Sequence, residues 1–246
     1  MKIGIQVSSL KPLLLTSEQV AEAFGKMKAL GCEGVQLQWI DPAVPLEDIA
    51  SSLRATGMES LGTQDFYRTV KENLAYYVNL NALTGGKWLC VSRIPEECKS
   101  REGLPRFVEE LRQMQAAIAP VGQKICFHPV SADYTAVPGM DPVRWLLENM
   151  PELDLCLDLY HLNRNCGDMP GFIRRYGSRI CMVHFKDALG DTLVPAGQGD
   201  THWDGVVQAC LDAGVPWGFA EQERWDRDPY DCLKEAMDWI AGNICG

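Results

Sequence analysis

The sequence predicts a single (β/α)8 barrel, and three observations carry that prediction. The chain has 246 residues, close to the roughly 250 of one such barrel. Short β-rich runs alternate with longer helical patterns from one end to the other, as parallel strands joined by crossover helices require. No low-complexity linker or shift in composition divides residues 1–246, so one domain is expected.

The apolar, strand-like runs are Lys2–Val7, Gly34–Gln38, Glu59–Thr63, Trp88–Ser92, Lys124–His128, Leu153–Asp158, Ile180–His184 and Trp217–Glu221. Helical segments with spaced apolar positions lie between them, among them Ser17–Leu30, Leu104–Ile118 and Tyr230–Ile240. Thr16 and Ser17 suit the N-cap of the first helix, with Glu18 and Glu22 in or near its opening turn, where negative charge is favoured. In ALGCEGVQL, Gly31 follows the helix as a C′ glycine and Gly34 introduces the next strand. The phrase DAGVPWGFAEQE repeats that logic near the C-terminus. A doubly wound open sheet would carry a glycine-rich phosphate loop after its first strand. Here that position reads VSSLKPLL, which argues for the barrel.

Composition narrows the function. The formal charge is −10, and no run of basic residues offers the Lys and Arg contacts on which binding to a phosphate backbone rests. Nucleic acid is therefore not an expected partner. No apolar stretch approaches the roughly 20 residues of a membrane span, and MKIGIQV is followed by no long apolar region. A cytoplasmic protein is expected. Of the 10 cysteines, Cys90, Cys126, Cys156 and Cys181 lie inside strand-like runs. They read as small core hydrophobes rather than as disulfide or zinc positions.

The chemistry of such a barrel sits at the C-terminal ends of its strands. The fifth run ends in His128. The sixth ends in Asp158, with His161 three residues on. The seventh ends in His184, followed by Lys186 and Asp187, and the eighth ends in Glu221, with Glu223 just beyond. Three of the four histidines thus lie at or just beyond the ends of consecutive runs. Taken singly, each has an ordinary role, as a packed core histidine, a cap or an ion-pair partner. Together, a mixed imidazole and carboxylate set suits a borderline divalent cation, which would act as a Lewis acid. In the N-terminal half, Gln6, Gln36, Gln38, Trp39, Gln64 and Arg93 lie at or near strand ends, where they either line a sugar site or are plain rim residues. Trp203 is expected to pack under the glycine loop around it.

At these residues the chain resembles the sugar phosphate isomerase/epimerase family, the xylose-isomerase-like barrels. The likeness covers nearly the whole length and is strongest from Lys124 onward. DLYHLNRNCGDMPGFIRRYGSRICMVHFKD resembles the family's strand-six to strand-seven unit, and VPAGQGDTHWDGVVQACLDAGVPWGFAEQE its next unit, a G-x-G-x-x-x-W loop, a helix and an acidic strand end. The resemblance implies a divalent metal ion (manganese, cobalt, magnesium or zinc) held by Asp158, His184, Glu221 and a residue of the fifth strand. Family members show a glutamate there, or an H-N-H-x-x-E-F pattern. This chain reads HPVSADY, so the fourth ligand is His128 or Asp133, with His128 favoured because it ends the strand directly. The resemblance assigns His161 to substrate hydroxyls and brings Lys186 towards the same pocket. Arg93 and Gln64 join them as substrate-binding candidates, and Glu221 and Asp133 are the candidate catalytic acids.

The expected activity is isomerisation or epimerisation of a small sugar, keto-sugar or polyol through an enediolate-type intermediate. The alternative is a lyase or dehydratase acting on a keto-inositol or keto-glycoside, made more credible by the departure in the fifth strand. No phosphate loop is evident, so an unphosphorylated substrate is expected. The many Trp and Tyr side chains are compatible with a homo-oligomer.

Overall fold

In the computed structural model, which describes residues 1–244, eight parallel strands close on themselves. They are β1 (Lys2–Gln6), β2 (Gly34–Leu37), β3 (Glu59–Phe66), β4 (Trp88–Ser92), β5 (Lys124–His128), β6 (Asp154–Asp158), β7 (Ile180–Phe185) and, after a small antiparallel hairpin of β8 (Asp187–Leu189) and β9 (Thr192–Val194), β10 (Trp217–Ala220). β1 pairs with β2 on one side and with β10 on the other, which shuts the barrel. The eight expected strands are all present. β3 runs on past Thr63 to Phe66, because Gln64, Asp65 and Phe66 pair in register with Cys90, Val91 and Ser92. The polar letters Gln and Asp hid that extension in the sequence. The β8–β9 hairpin, turning at Gly190, was not anticipated.

The helical layer follows the apolar periodicity. In α1 (Ser17–Ala29), Val20, Ala23, Phe24 and Met27 form one buried face, and the Thr16 side chain accepts the Gln19 N–H as an N-cap. Gly31 has φ +92°, the left-handed turn that only a residue without Cβ enters at no cost. After α2 (Leu46–Thr56), two helices follow β3, the short α3 (Tyr67–Glu72) and α4 (Leu74–Thr84). In α5 (Gly103–Ile118), Leu104, Phe107, Val108, Leu111, Met114 and Ile118 pack on β5 and share one apolar cluster with Leu89 and Val91 of β4. α6 (Ser131–Tyr134) and α7 (Pro142–Asn149) lead to β6. α8 (Leu159–Asn163) and α9 (Met169–Tyr176) lead to β7. α10 (Val206–Asp212) and the closing helix α11 (Pro229–Ile244) complete the ring.

Inside the barrel, the floor is apolar. Leu61, Cys90, Cys126, Cys156, Cys181, Met182, Trp217 and Phe219 pack as one cluster. The Trp217 and Phe219 rings are stacked at 5.8 Å over Gly4 in the middle of β1 and Gly34 at the start of β2. A Cβ on Gly4 would come within 2.5 Å of the Phe219 ring, and one on Gly34 within 2.7 Å of Trp217. The floor fills the lower barrel, so the open end lies at the C-terminal ends of the strands. Among the described residues, no helix is long and apolar enough to cross a membrane.

Candidate metal centre at the barrel mouth

The layer above this floor divides by side. β1, β2 and β3 contribute neutral amides, which form a ladder. Gln6 Nε2 donates to Gln36 Oε1 at 2.9 Å, Gln36 Nε2 to Gln64 Oε1 at 3.1 Å, and Gln64 Nε2 to Gln38 Oε1 at 3.2 Å. β5, β6 and β7 contribute His128, Asp158 and His184, and Glu221 follows β10. Register sets their height, with Asp158 directly opposite His184, and Ser92 opposite His128. One donor atom from each of His128, Asp158, His184 and Glu221 lies within 4.8 Å of the other three.

Each of these four side chains is tied to the protein at one atom and left bare at another. His128 Nδ1 meets Ser92 Oγ at 3.2 Å, while Nε2 has no partner. His184 Nε2 donates to Gln36 Oε1 at 2.6 Å and lies 3.2 Å from Cys156 Sγ, while Nδ1 has none. Asp158 Oδ1 accepts the His161 N–H at 3.0 Å as the N-cap of α8, and Glu221 Oε1 accepts from Lys186 Nζ at 3.1 Å. Their second oxygens are unpaired. The bare atoms face one another in pairs, His184 Nδ1 and Glu221 Oε2 at 2.6 Å and His128 Nε2 and Asp158 Oδ2 at 3.7 Å. The closer pair is not aligned as a hydrogen bond, as two lone pairs aimed at a common point would not be.

Buried polar atoms normally find partners, so four orphans in one cluster need an explanation. Two imidazoles and two carboxylates, all buried, are the donor set of a borderline divalent ion, and the residues present fit one. The outer contacts agree. A ligating histidine usually gives its second ring N–H to a neighbouring acceptor, which fixes the tautomer and the ring plane. Ser92 and Gln36 stand where that is needed.

The charges around the cluster are held in set states. Burial works against ionisation of Asp158, but His161 and His128 outweigh it and bring its carboxyl down to about 2. Burial acts the same way on Glu221, and Lys186 and His184 hold it well below the usual range. His161 falls to about 4, chiefly because it is buried, although Asp158 pulls the other way. Its Nδ1 lies 2.9 Å from Ser131 Oγ. Burial and the neighbouring Glu221 raise Glu223 to about 7, against the pull of Lys186.

The other expected site residues stand at different distances from the cluster. Asp133 does not reach the cluster. It is fully buried, and its two oxygens accept the Ile94 N–H at 3.1 Å and the Val130 N–H at 2.9 Å. The carboxylate pins the turn after β5 and, fully buried, presents no surface to a substrate. Arg93 is exposed, with its guanidinium over the Phe66 ring at 4.5 Å. Gln64 is buried within the amide ladder. Lys186 is buried between Glu221 and Glu223, 5.9 Å from the Tyr160 ring. Ser92 was missed in the sequence. The equal lengths of the fourth and fifth apolar runs were the available signal, since they set Ser92 beside His128. Asp187 was seen only as a neighbour of Lys186. Its carboxylate accepts the N–H groups of Ala188, Gly197, Gly199 and Thr201 and the indole N–H of Trp203 at 2.9–3.2 Å, so it ties the whole loop after β7 to the mouth. Trp203 packs on Phe185 beneath that loop.

Comparison with known proteins agrees with this geometry. The family described as xylose isomerase-like TIM barrel matches residues 24–242. No curated protein matches the chain. Among solved structures, a sugar phosphate isomerase/epimerase from Parabacteroides distasonis superposes with a TM-score of 0.79 at 16% identity, over 97% of this chain and 96% of that one. The probable 3-DHS dehydratase AsbF from Bacillus anthracis gives 0.76 at 14% identity, over 98% and 99%. The IOLI protein, solved with a bound zinc atom, gives 0.72 at 15% identity, over 100% and 96%.

Proposed function

The chain belongs to the xylose isomerase-like TIM barrel family, and from that premise we propose that it is a metal-dependent isomerase or epimerase of a small, unphosphorylated sugar, keto-sugar or polyol. The observation that carries this reading is the set of four orphaned donors on His128, Asp158, His184 and Glu221. A divalent ion held by them would supply Lewis acidity to a carbonyl oxygen and to the charge that develops as the adjacent carbon loses its proton.

The protein's own groups supply the rest. Ser92 and Gln36 keep the two imidazoles in the tautomers that leave His128 Nε2 and His184 Nδ1 free. Glu221 Oε1 is the oxygen left to take a proton from carbon, with Lys186 holding that carboxylate ionised. Glu223, also on Lys186, is the acid nearest to it in the chain. His161 is placed beside Asp158 to meet a substrate hydroxyl. Geometry of this kind brings general acid–base groups within reach of a bound carbon.

A second reading is favoured by one observation. An epimerase that works from both faces of a carbon needs an acid on each, and Asp133, the only acid after β5 that could serve, is fully engaged by backbone N–H groups. A lyase or dehydratase needs one base beside the carbonyl and a proton for the leaving group, which Glu221 and the Lys186–Glu223 pair provide.

The test takes the protein loaded with manganese and a panel of ketoses and 3-keto-glycosides, followed by NMR in deuterated water. Expected are on the order of one retained ion per chain, as for a single four-donor site, and exchange of a carbon-bound proton that stops in Glu221→Gln. A product of unchanged formula marks the isomerase, and loss of water or an alcohol marks the lyase. Retention of no ion by the wild type defeats both readings. Exchange at the wild-type rate in Glu221→Gln removes Glu221 as base and turns attention to Glu223.

A further inference from the structure

Beside the amide ladder, on the β2–β3 side of the mouth, lies a cavity of about 410 Å³, within the roughly 300–1,000 Å³ of small-molecule pockets. It begins at Gln38 and Gln64 and passes over the strand ends to Thr63 and the inner face of α4. Gln64 is two hydrogen bonds from His184, through Gln36, so the cavity and the metal centre share a wall. Its other walls are apolar or aromatic, chiefly Leu37, Trp39, Ile40, Tyr76 and Leu80.

The polar groups on this lining are mostly engaged. Asp65 accepts the Phe66 N–H and the Tyr77 hydroxyl, and Asp41 accepts the Ala43 N–H. Lys11 lies over the Trp39 ring at 4.9 Å. Thr63, which is 1% exposed, is the one residue of the lining with a fully buried side-chain oxygen, Oγ1, that has no partner. A bare sugar would leave most of its hydroxyls unpaired against such walls, which is costly. Two aspartates on the lining disfavour a phosphate.

The rim carries a second sign of a built site. Lys11, Trp39, Phe66 and Arg93 form a row, with Trp39 and Phe66 rings 5.9 Å apart and a cation over each. Among the described residues, Trp39 and Arg93 are the only non-glycines in the left-handed region, at φ +57° and +68°. Backbone held in such conformations gathers at ligand clamps.

We infer that this cavity binds a flat, uncharged, apolar group carried by the substrate, so that the molecule processed is a conjugate with its polyol ring at the metal centre and an aryl aglycone between Trp39, Tyr76 and Leu80. One oxygen of that aglycone meets Thr63 Oγ1. The placement of the ring rests on the function proposed above, while the aglycone pocket rests on its own lining.

The experiment measures equilibrium binding of three probes to the manganese-loaded protein, namely 4-methylumbelliferyl β-D-glucoside, methyl β-D-glucoside and free 4-methylumbelliferone. The aryl glucoside should bind about tenfold or more tightly than the methyl glucoside, a gain of about 1.4 kcal/mol. That gain should vanish in Tyr76→Ala, fall in the isosteric Thr63→Val, which keeps the fold, and survive in Asp158→Ala. Equal binding of the two glucosides overturns the aglycone pocket, and if methyl glucoside binding is then lost in Asp158→Ala, the sugar reading still stands. Umbelliferone bound in a Tyr76-dependent manner, with neither glucoside helped by the metal, supports the pocket and defeats the sugar reading. Absence of binding by both aryl probes overturns the inference.

Discussion

Gln36 works in two directions. Its carbonyl takes the His184 Nε2–H at 2.6 Å and its amide donates to Gln64 at 3.1 Å. Replacing it by leucine frees the imidazole to turn or change tautomer. Gln36→Leu should therefore weaken manganese binding about 10–100-fold, read by competition with a chelating dye, while Gln36→Glu keeps an acceptor and recovers part of it. Wild-type affinity in the leucine variant would leave Gln36 as wall and nothing more. The comparison also explains what the sequence made legible. His128, Asp158, His184 and Glu221 stood out because each polar residue closes an apolar run, and strand ends share one rim. The surroundings of Asp133, Gln64 and Arg93 were not legible for the opposite reason. Whether a polar side chain faces a ligand or a backbone N–H depends on partners far along the chain, such as Ile94 for Asp133, and no local spacing encodes them.

Among the elements, the segment from β8 to the start of α10 is the least regular, and one side chain organises it. Asp187 is fully buried and gathers five N–H donors. Hydrogen bonds to a charged acceptor contribute about 1.5–3 kcal/mol each when one is removed. Asp187→Asn swaps one oxygen for an amide that also donates, so it sets donor against donor. The amides of Gly197, Gly199 and Thr201 should exchange with solvent faster in this variant, and those of β4 and β5 should not. Uniform acceleration across the barrel would mean that Asp187 supports the whole fold instead of this loop. The eight strands and the main helices were readable from periodicity, whereas the hairpin was not, because each of its strands has only three residues.

For the molecule as a whole, an ion held at the proposed centre would couple metal binding to folding. Its four donors come from β5, β6, β7 and the residue after β10, which an unfolded chain cannot hold together. An ion that binds only the folded state at 100 times its dissociation constant adds about 2.7 kcal/mol. In a domain of this size each kcal/mol shifts Tm by roughly 2–4 °C. Chelation should thus lower Tm by roughly 5–11 °C, and Asp158→Ala should melt at one temperature with or without chelator. If chelator leaves the wild-type Tm unchanged, the cluster is not holding an ion under those conditions. The mouth is also split, with metal donors on one arc and the amide ladder and apolar cavity on the other. The four donors all follow Lys124 in the chain, whereas the cavity lining comes from residues 11–80, so the two arcs are written in separate stretches of sequence joined through Gln36 and Ser92. A substitution in the cavity lining that spares Gln36 can therefore reshape one arc and leave the donors of the other where they stand.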